Sequence, residues 1–204
     1  MATPWDSFFP HVQPHVPGCP EVVIRSHLRD AAADFCERSE VWRQKIEPDY
    51  TIAGVADYPI DIPTGALLEN IPVLYLEGMP IKRVTDLHFK ALPTADNAAP
   101  SHFTVVDDSQ VRFIATPDRR YQFEGVAVLK PALSATGVED FIFESHGRTI
   151  ACGAIASLTI IPGKEWTNLE LANYYNAKFL KHLDDAKGRD TRRANMRVKS
   201  VRFT

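Results

Sequence analysis

The stretch from residue 48 to 133 constrains the fold more than any other part of the sequence. Glycine and proline divide it into short runs: Tyr50–Ile52, Ala56–Ile60, Val73–Leu76, Phe103–Val106, Val111–Ile114 and Tyr121–Leu129. Short runs rich in Val, Ile, Tyr and Phe between turn residues make strands. The spacing between most runs is too short for a helix. Parallel pairing needs a crossover of about a dozen residues, so the strands are expected to pair mainly antiparallel. Glu77-Gly78 is the bend of a tight hairpin between Val73–Leu76 and Met79-Pro80-Ile81. Asp107-Asp108-Ser109-Gln110 reads as a second hairpin turn, and Ala91–Ser101 as a long loop.

On both sides the apolar period lengthens. Ile24, Leu28, Ala31, Phe35 and Trp42 recur at helical steps, which predicts a helix from about Pro20 to Ile46, closed by Pro48. After Gly137, the residues Phe141, Ile150, Ala151, Ala154, Ile155 and Leu158 predict a second helix ending before Pro162-Gly163. Its run Ala151-Cys152-Gly153-Ala154-Ile155-Ala156 is small enough to let another helix come close. Asn168 is placed to cap a third helix carrying Leu171, Ala172, Tyr175, Phe179 and Leu183, which Gly188 is expected to end. Helix, strands, then two helices is an α+β order. The expected architecture is a helical bundle of one N-terminal and two C-terminal helices (21–47 and 138–186). An antiparallel β domain (48–137) is inserted into it, and a basic C-terminal tail (187–204) follows.

Residues 1–20 contain Pro4, Pro10, Pro14, Pro17 and Pro20. Proline lacks a backbone donor and biases its predecessor to extended geometry, so an extended Pro-rich arm is expected. Trp5, Phe8 and Phe9 are anchors that a solvated arm does not need. They can be buried in their own domain or on a neighbouring subunit.

Composition excludes several classes. With 45% apolar and 24% charged residues, the chain is not mainly disordered. Cys19, Cys36 and Cys152 form no C-x-x-C pair and no disulfide framework, which fits a reducing origin. No apolar run approaches the length of a membrane-spanning helix, and Met1–Pro10, lacking Lys and Arg, is not expected to act as a signal peptide.

No catalytic pattern is evident, so no enzyme activity, cofactor or metal is expected. Gly163-Lys164-Glu165 lacks the remaining residues of a phosphate loop, and neither a dinucleotide fingerprint nor a nucleophile elbow occurs. His11, His15 and Cys19 have four-residue spacing, which has ligand geometry only on a helix, and prolines surround them. His146 and Cys152, six apart on a helix, are expected to face different directions rather than form a nucleophile pair. Glu139-Asp140 suits the positive end of a helix dipole, and Trp42 and Trp166 suit the core or an interface.

Charge is strongly segregated. From Lys187 to Thr204, seven basic residues face Asp190 alone, a net of +6, leaving 16 basic and 25 acidic residues, −9, in the rest. Such a terminus seeks a negative partner. Met196 and Val198 alternate with Arg197 and Lys199, and Val201 and Phe203 flank Arg202, as in a segment that becomes a strand on docking. Arg189, Arg192 and Arg193 complete this candidate docking surface. A nucleic-acid-binding module using the same tail is the alternative.

The layout resembles the head-to-tail adaptor (connector, or neck) proteins of tailed bacteriophages. The resemblance rests on Leu28–Arg38 followed by Val41-Trp42, on Tyr75–Ile81, and on Gly153–Leu158, Ile161-Pro162-Gly163-Lys164-Glu165-Trp166, Leu171–Tyr175 and Phe179. It spans about Glu21 to Phe203. The resemblance implies a structural virion protein in the head–tail neck, made in the host cytoplasm. It would form a homo-oligomeric ring, expected to be twelvefold, beneath the portal protein. The ring would extend the channel for double-stranded DNA without sequence-specific binding and hold the next tail or neck protein. The portal would receive the basic tail. A ring needs two different complementary faces. Arg25, Arg29, Arg38 and Arg43, on the expected first helix, are the candidates for pairing with a neighbour.

Overall fold

The computed structural model describes residues 2–84, 97–107 and 109–199, with residues 188–199 described by backbone alone. The chain forms two compact units. One comprises the segments up to Trp42 and from Pro131 onward, and the other comprises Arg43–Lys130.

In the first unit, strand β1 (Ala2–Pro4) is followed by a 3-10 turn (Trp5–Phe8), helix α1 (Phe9–Val12) and a second 3-10 turn (Gln13–His15). The long helices are α2 (Glu21–Ser39), α3 (Asp140–Thr159) and α4 (Leu169–Lys199). Strand β9 (Gly137–Glu139) precedes α3 and pairs antiparallel with β1, Thr3 opposite Val138. The proline-rich arm is therefore not extended. Most of it coils into short helical turns, and Trp5, Phe8, Phe9, Val12 and Val16 are buried within the same unit. Proline is tolerated in a first helical turn, where its missing donor costs nothing, and Pro10 and Pro14 occupy such positions.

Helix α2 ends seven residues short of Ile46. Glu40 adopts a left-handed conformation (φ 54°), and its N–H closes the last turn on the Cys36 carbonyl at 2.9 Å. Trp42 is buried but lies beyond the helix, and its helical spacing from Phe35 is coincidental. Helix α3 is buried on most sides, which marks it as the central helix of the unit. At Gly153 a Cβ atom would lie 3.0 Å from the Phe179 ring of α4 and 3.1 Å from Ala31 Cβ of α2. The small-residue run thus permits the close approach of three helices. Asn168 caps α4 as expected, its Oδ1 accepting from Leu171 N at 3.0 Å. The helix does not stop at Gly188 but continues to Lys199. One glycine in a helix interior costs only about 1 kcal/mol, and the surrounding Lys, Arg and Ala residues favour helix.

Among its described residues, the second unit holds a curled seven-stranded sheet. Its strands are β2 (Arg43–Tyr50), β3 (Asp57–Pro59), β4 (Ala66–Leu76), β5 (Met79–Arg83), β6 (His102–Asp107), β7 (Gln110–Ile114) and β8 (Gln122–Pro131). They are ordered β2-β8-β4-β5-β6-β7-β3. The β4–β5 hairpin turns at Glu77 and Gly78, both left-handed (φ 51° and 75°), the geometry that matches the twist of paired strands. Asp107 pairs with Gln110 across the second expected turn. Tyr58, Phe113 and Phe123 form a core triad with ring centroids 5.4 Å apart, each pair edge to face.

The expected class, an α+β helical bundle with an inserted antiparallel domain, is overturned. The chain is mixed α/β and strand-rich, with a seven-stranded sheet and a separate two-stranded one. Residues 43–47, assigned to the first helix by spacing, belong to β2, and the sheet is not wholly antiparallel. Strands β5 and β6 run parallel, with Lys82 opposite His102. The segment between Arg83 and His102 is long enough for the crossover that parallel pairing requires. Most of the loop expected over Ala91–Ser101 lies outside the described residues.

Candidate functional site

The basic segment begins within α4. By backbone, Arg189, Arg192, Arg193, Met196, Arg197, Val198 and Lys199 all lie on this helix. Val201, Arg202 and Phe203 lie outside the described residues. Helical geometry replaces the expected alternation: positions two apart, such as Met196 and Val198, are about 200° apart around the axis. Arg189, Arg193 and Arg197 instead follow one another at four-residue steps along one side of the helix. At 1.5 Å per residue, α4 is about 46 Å long, against about 30 Å for α3, on which it packs. The helix is therefore too long for α3 to cover along its whole length. Ala186 is the last residue of α4 with a described buried side chain.

The four candidate interface arginines have separate surroundings. Arg25 forks onto Asp6 at 2.6 and 3.1 Å and reaches Glu21 at 3.2 Å, with its guanidinium 5.3 Å from the centre of the Phe9 ring. The fork to Arg25 holds the Asp6 carboxyl below its ordinary range. Arg29 donates from Nη1 to the Leu133 carbonyl, and its buried Nε has no hydrogen-bond partner among the described residues. Arg38 pairs with Asp34 one turn back at 3.2 Å. Arg43 is not on the helix at all but opens β2, opposite Val128.

Among the described residues of the helical unit, two grooves flank α4. The first, of about 520 Å³, lies among α2, α3 and α4. Ala31, Gly153, Ala156 and Phe179 line it with apolar surface, and Asp30, Asp34, Asn173 and Asn176 supply exposed polar groups. His27 Nδ1 lies 2.8 Å from Ser157 Oγ, which donates to the Ala154 carbonyl at 2.9 Å. The hydroxyl is thus committed to the helix backbone rather than to the imidazole, the reverse of what an activated nucleophile needs. Burial lowers the His27 pKa, with Asp30 opposing that shift.

The second groove, of about 320 Å³, lies between α3 and α4. Arg148, Lys178 and His182 line it, with Asp185 as its one carboxylate and Thr149 and Cys152 buried within it. His146 and Cys152 both border this groove, which admits side chains from more than one face of α3. The Cys152 thiol is pushed up by burial, only partly countered by Lys178, so it is not an activated thiolate. Sequence reasoning missed this groove because its cations are on separate helices; the fold alone brings Arg148 to Lys178.

His15 lies edge-on to Tyr175, with Nε2 3.0 Å from the tyrosine hydroxyl. Among the described residues no group of three or more His, Cys, Asp and Glu side chains could hold a metal ion. Glu139 precedes α3 and Asp140 lies in its first turn, where Asp140 accepts from Thr3 Oγ1 at 2.7 Å. Trp166 is half-buried, and its buried indole nitrogen has no hydrogen-bond partner among the described residues. No helix among the described residues is long and apolar enough to cross a membrane. No protein-family model matches the chain, and no curated protein matches it significantly.

Proposed function

We propose that this protein is a head-to-tail adaptor of a tailed bacteriophage, a structural component of the virion neck rather than an enzyme. Copies assemble into a ring, expected to be twelvefold, beneath the portal protein. The ring extends the DNA channel and holds the next tail or neck component. One observation carries the proposal: a +6 segment closes a chain that is otherwise −9, and most of that segment continues a helix longer than the helix it packs on. A charged helical end of this kind suits docking on a partner, with opposite charge speeding the encounter. The resemblance of Gly153–Leu158, Ile161–Trp166 and Leu171–Tyr175 to the corresponding parts of such adaptors supports the same reading. An acidic body suits a channel wall, because it does not hold the DNA phosphates.

Truncation after Ala186 tests the proposal. The shortened protein is expected to fold, since the described buried side chains of α4 end there, and to lose attachment to portal-bearing capsids. Many weak tails presented by one ring add strongly, so the loss should be far larger than one tail's affinity implies. The same charge segregation favours a second reading, a nucleic-acid-binding module. On that reading, truncation abolishes salt-sensitive duplex binding and leaves capsid attachment intact.

A further inference from the structure

The two grooves beside α4 differ in charge and lie on different sides of that helix. Phe179 lines the first and Lys178 and His182 line the second; averaged over their α4 residues, the grooves are about a third of a turn apart. At the first, Asp30 has no ion-pair partner among the described residues, and Asp34 has only the exposed pair with Arg38. At the second, Arg148 and Lys178 are exposed, and neither has a carboxylate partner among the described residues. One turn before Ser145, on the same stripe of α3 as Arg148, Phe141 is 44% exposed at the start of the helix.

We propose that the Arg148–Lys178 groove of one copy docks against the Asp30–Asp34 groove of a second copy. The partner follows from the charges. A chain whose residues before Lys187 sum to −9 repels its own copies unless a local positive surface meets a local negative one. These two grooves supply one of each. The apolar lining of the first groove, Ala31, Ala156 and Phe179, offers a neighbour's Phe141 ring a place to bury. Because the two faces differ, the contact is heterologous and propagates from copy to copy, which is what a ring requires. The inference rests on the ring-forming reading above and specifies the surfaces that the ring would use.

The test is charge reversal with rescue, read as assembly size by sedimentation velocity and mass photometry on the full chain. Wild type is expected to form oligomers that weaken as salt rises, because exposed charges are screened over about 10 Å at 0.1 M. Arg148→Glu/Lys178→Glu and Asp30→Lys/Asp34→Lys should each weaken assembly about tenfold or more, since like charges then face each other. An equimolar mixture of the two double variants should assemble again, because every contact regains opposite charges. If circular dichroism shows either variant unfolded, the neutral variants Arg148→Gln/Lys178→Gln and Asp30→Asn/Asp34→Asn should each weaken assembly, by a smaller factor. Oligomers that persist unchanged in the folded variants, or a mixture that fails to reassemble, overturn this contact and leave the ring reading standing. Wild type that stays monomeric both in solution and on portal-bearing capsids overturns the ring reading itself.

Discussion

The Trp5 indole donates to the Ala135 carbonyl at 2.8 Å across 130 residues of sequence. This bond ties the start of the chain to the segment leading into α3. The ring is 3% exposed and packs against Phe8, which in turn meets Phe143 edge to face at 4.8 Å. The arm is thus part of the core of the helical unit.

Trp5→Ala is therefore expected to cost about 3–5 kcal/mol, the range for removing a buried large aromatic. Trp5→Phe keeps most of the buried area but leaves the Ala135 carbonyl without its donor, at about 1–3 kcal/mol. Urea unfolding followed by circular dichroism measures both. Equal, negligible losses would show that the arm is not part of the core.

Two glycines should respond to alanine for different reasons. At Gly78 a Cβ meets nothing within 4 Å, so Gly78→Ala bears only the left-handed backbone penalty, about 1–2 kcal/mol. At Gly137 a Cβ would lie 2.1 Å from the Thr3 carbonyl oxygen. Gly137→Ala should force β1 off β9, loosen the Trp5 anchor and cost about 3 kcal/mol or more. The order of the two urea midpoints checks this, together with a change in tryptophan fluorescence for Gly137→Ala alone.

Thiol reactivity should divide the cysteines. Burial pushes the Cys36 thiol up to about 12 and raises Cys152 and Cys19 as well, but Cys19 is half-buried where the other two are buried. A thiol-titrating disulfide reagent at pH 8 should modify Cys19 in the native protein. Cys36 and Cys152 should react only at the rate of unfolding. Three fast equivalents would contradict the burial of Cys36 on α2 and of Cys152 between α3 and α4.

In the sheet, Arg112 donates to both carboxylate oxygens of Asp57 at 2.5 and 2.8 Å, which holds that carboxyl below its ordinary value. A depressed carboxyl stabilises the fold above its unfolded pKa, about 3.9, and the contribution is lost as pH falls through the lower folded value. Both side chains are about two-fifths exposed, so solvent screening keeps the effect to at most about 1 kcal/mol. Asp57→Asn should flatten that part of the acid limb of stability against pH while leaving neutral stability within the same margin.

Local patterns read correctly wherever burial imposes a period on neighbouring residues. The apolar steps of α3 and the first half of α4 show in the sequence because each helix buries one stripe or more. Turn chemistry was equally legible at Glu77-Gly78, where two successive left-handed residues join β4 to β5. The charge segregation and the absence of recognisable catalytic motifs needed no coordinates either. Other features depended on partners distant along the chain. Nothing near Ala2–Pro4 records its pairing with Gly137–Glu139, and nothing near Met79–Arg83 records a parallel neighbour in β6. The end of α2 is not legible in the pattern, because Trp42 and Ile46 are apolar and buried for reasons unrelated to helical period. The Arg148–Lys178 groove belongs to this second kind. Periodicity reports that a residue is buried or exposed, but not which residue it meets; that is decided when the elements pack, where side chains from separate helices share one surface.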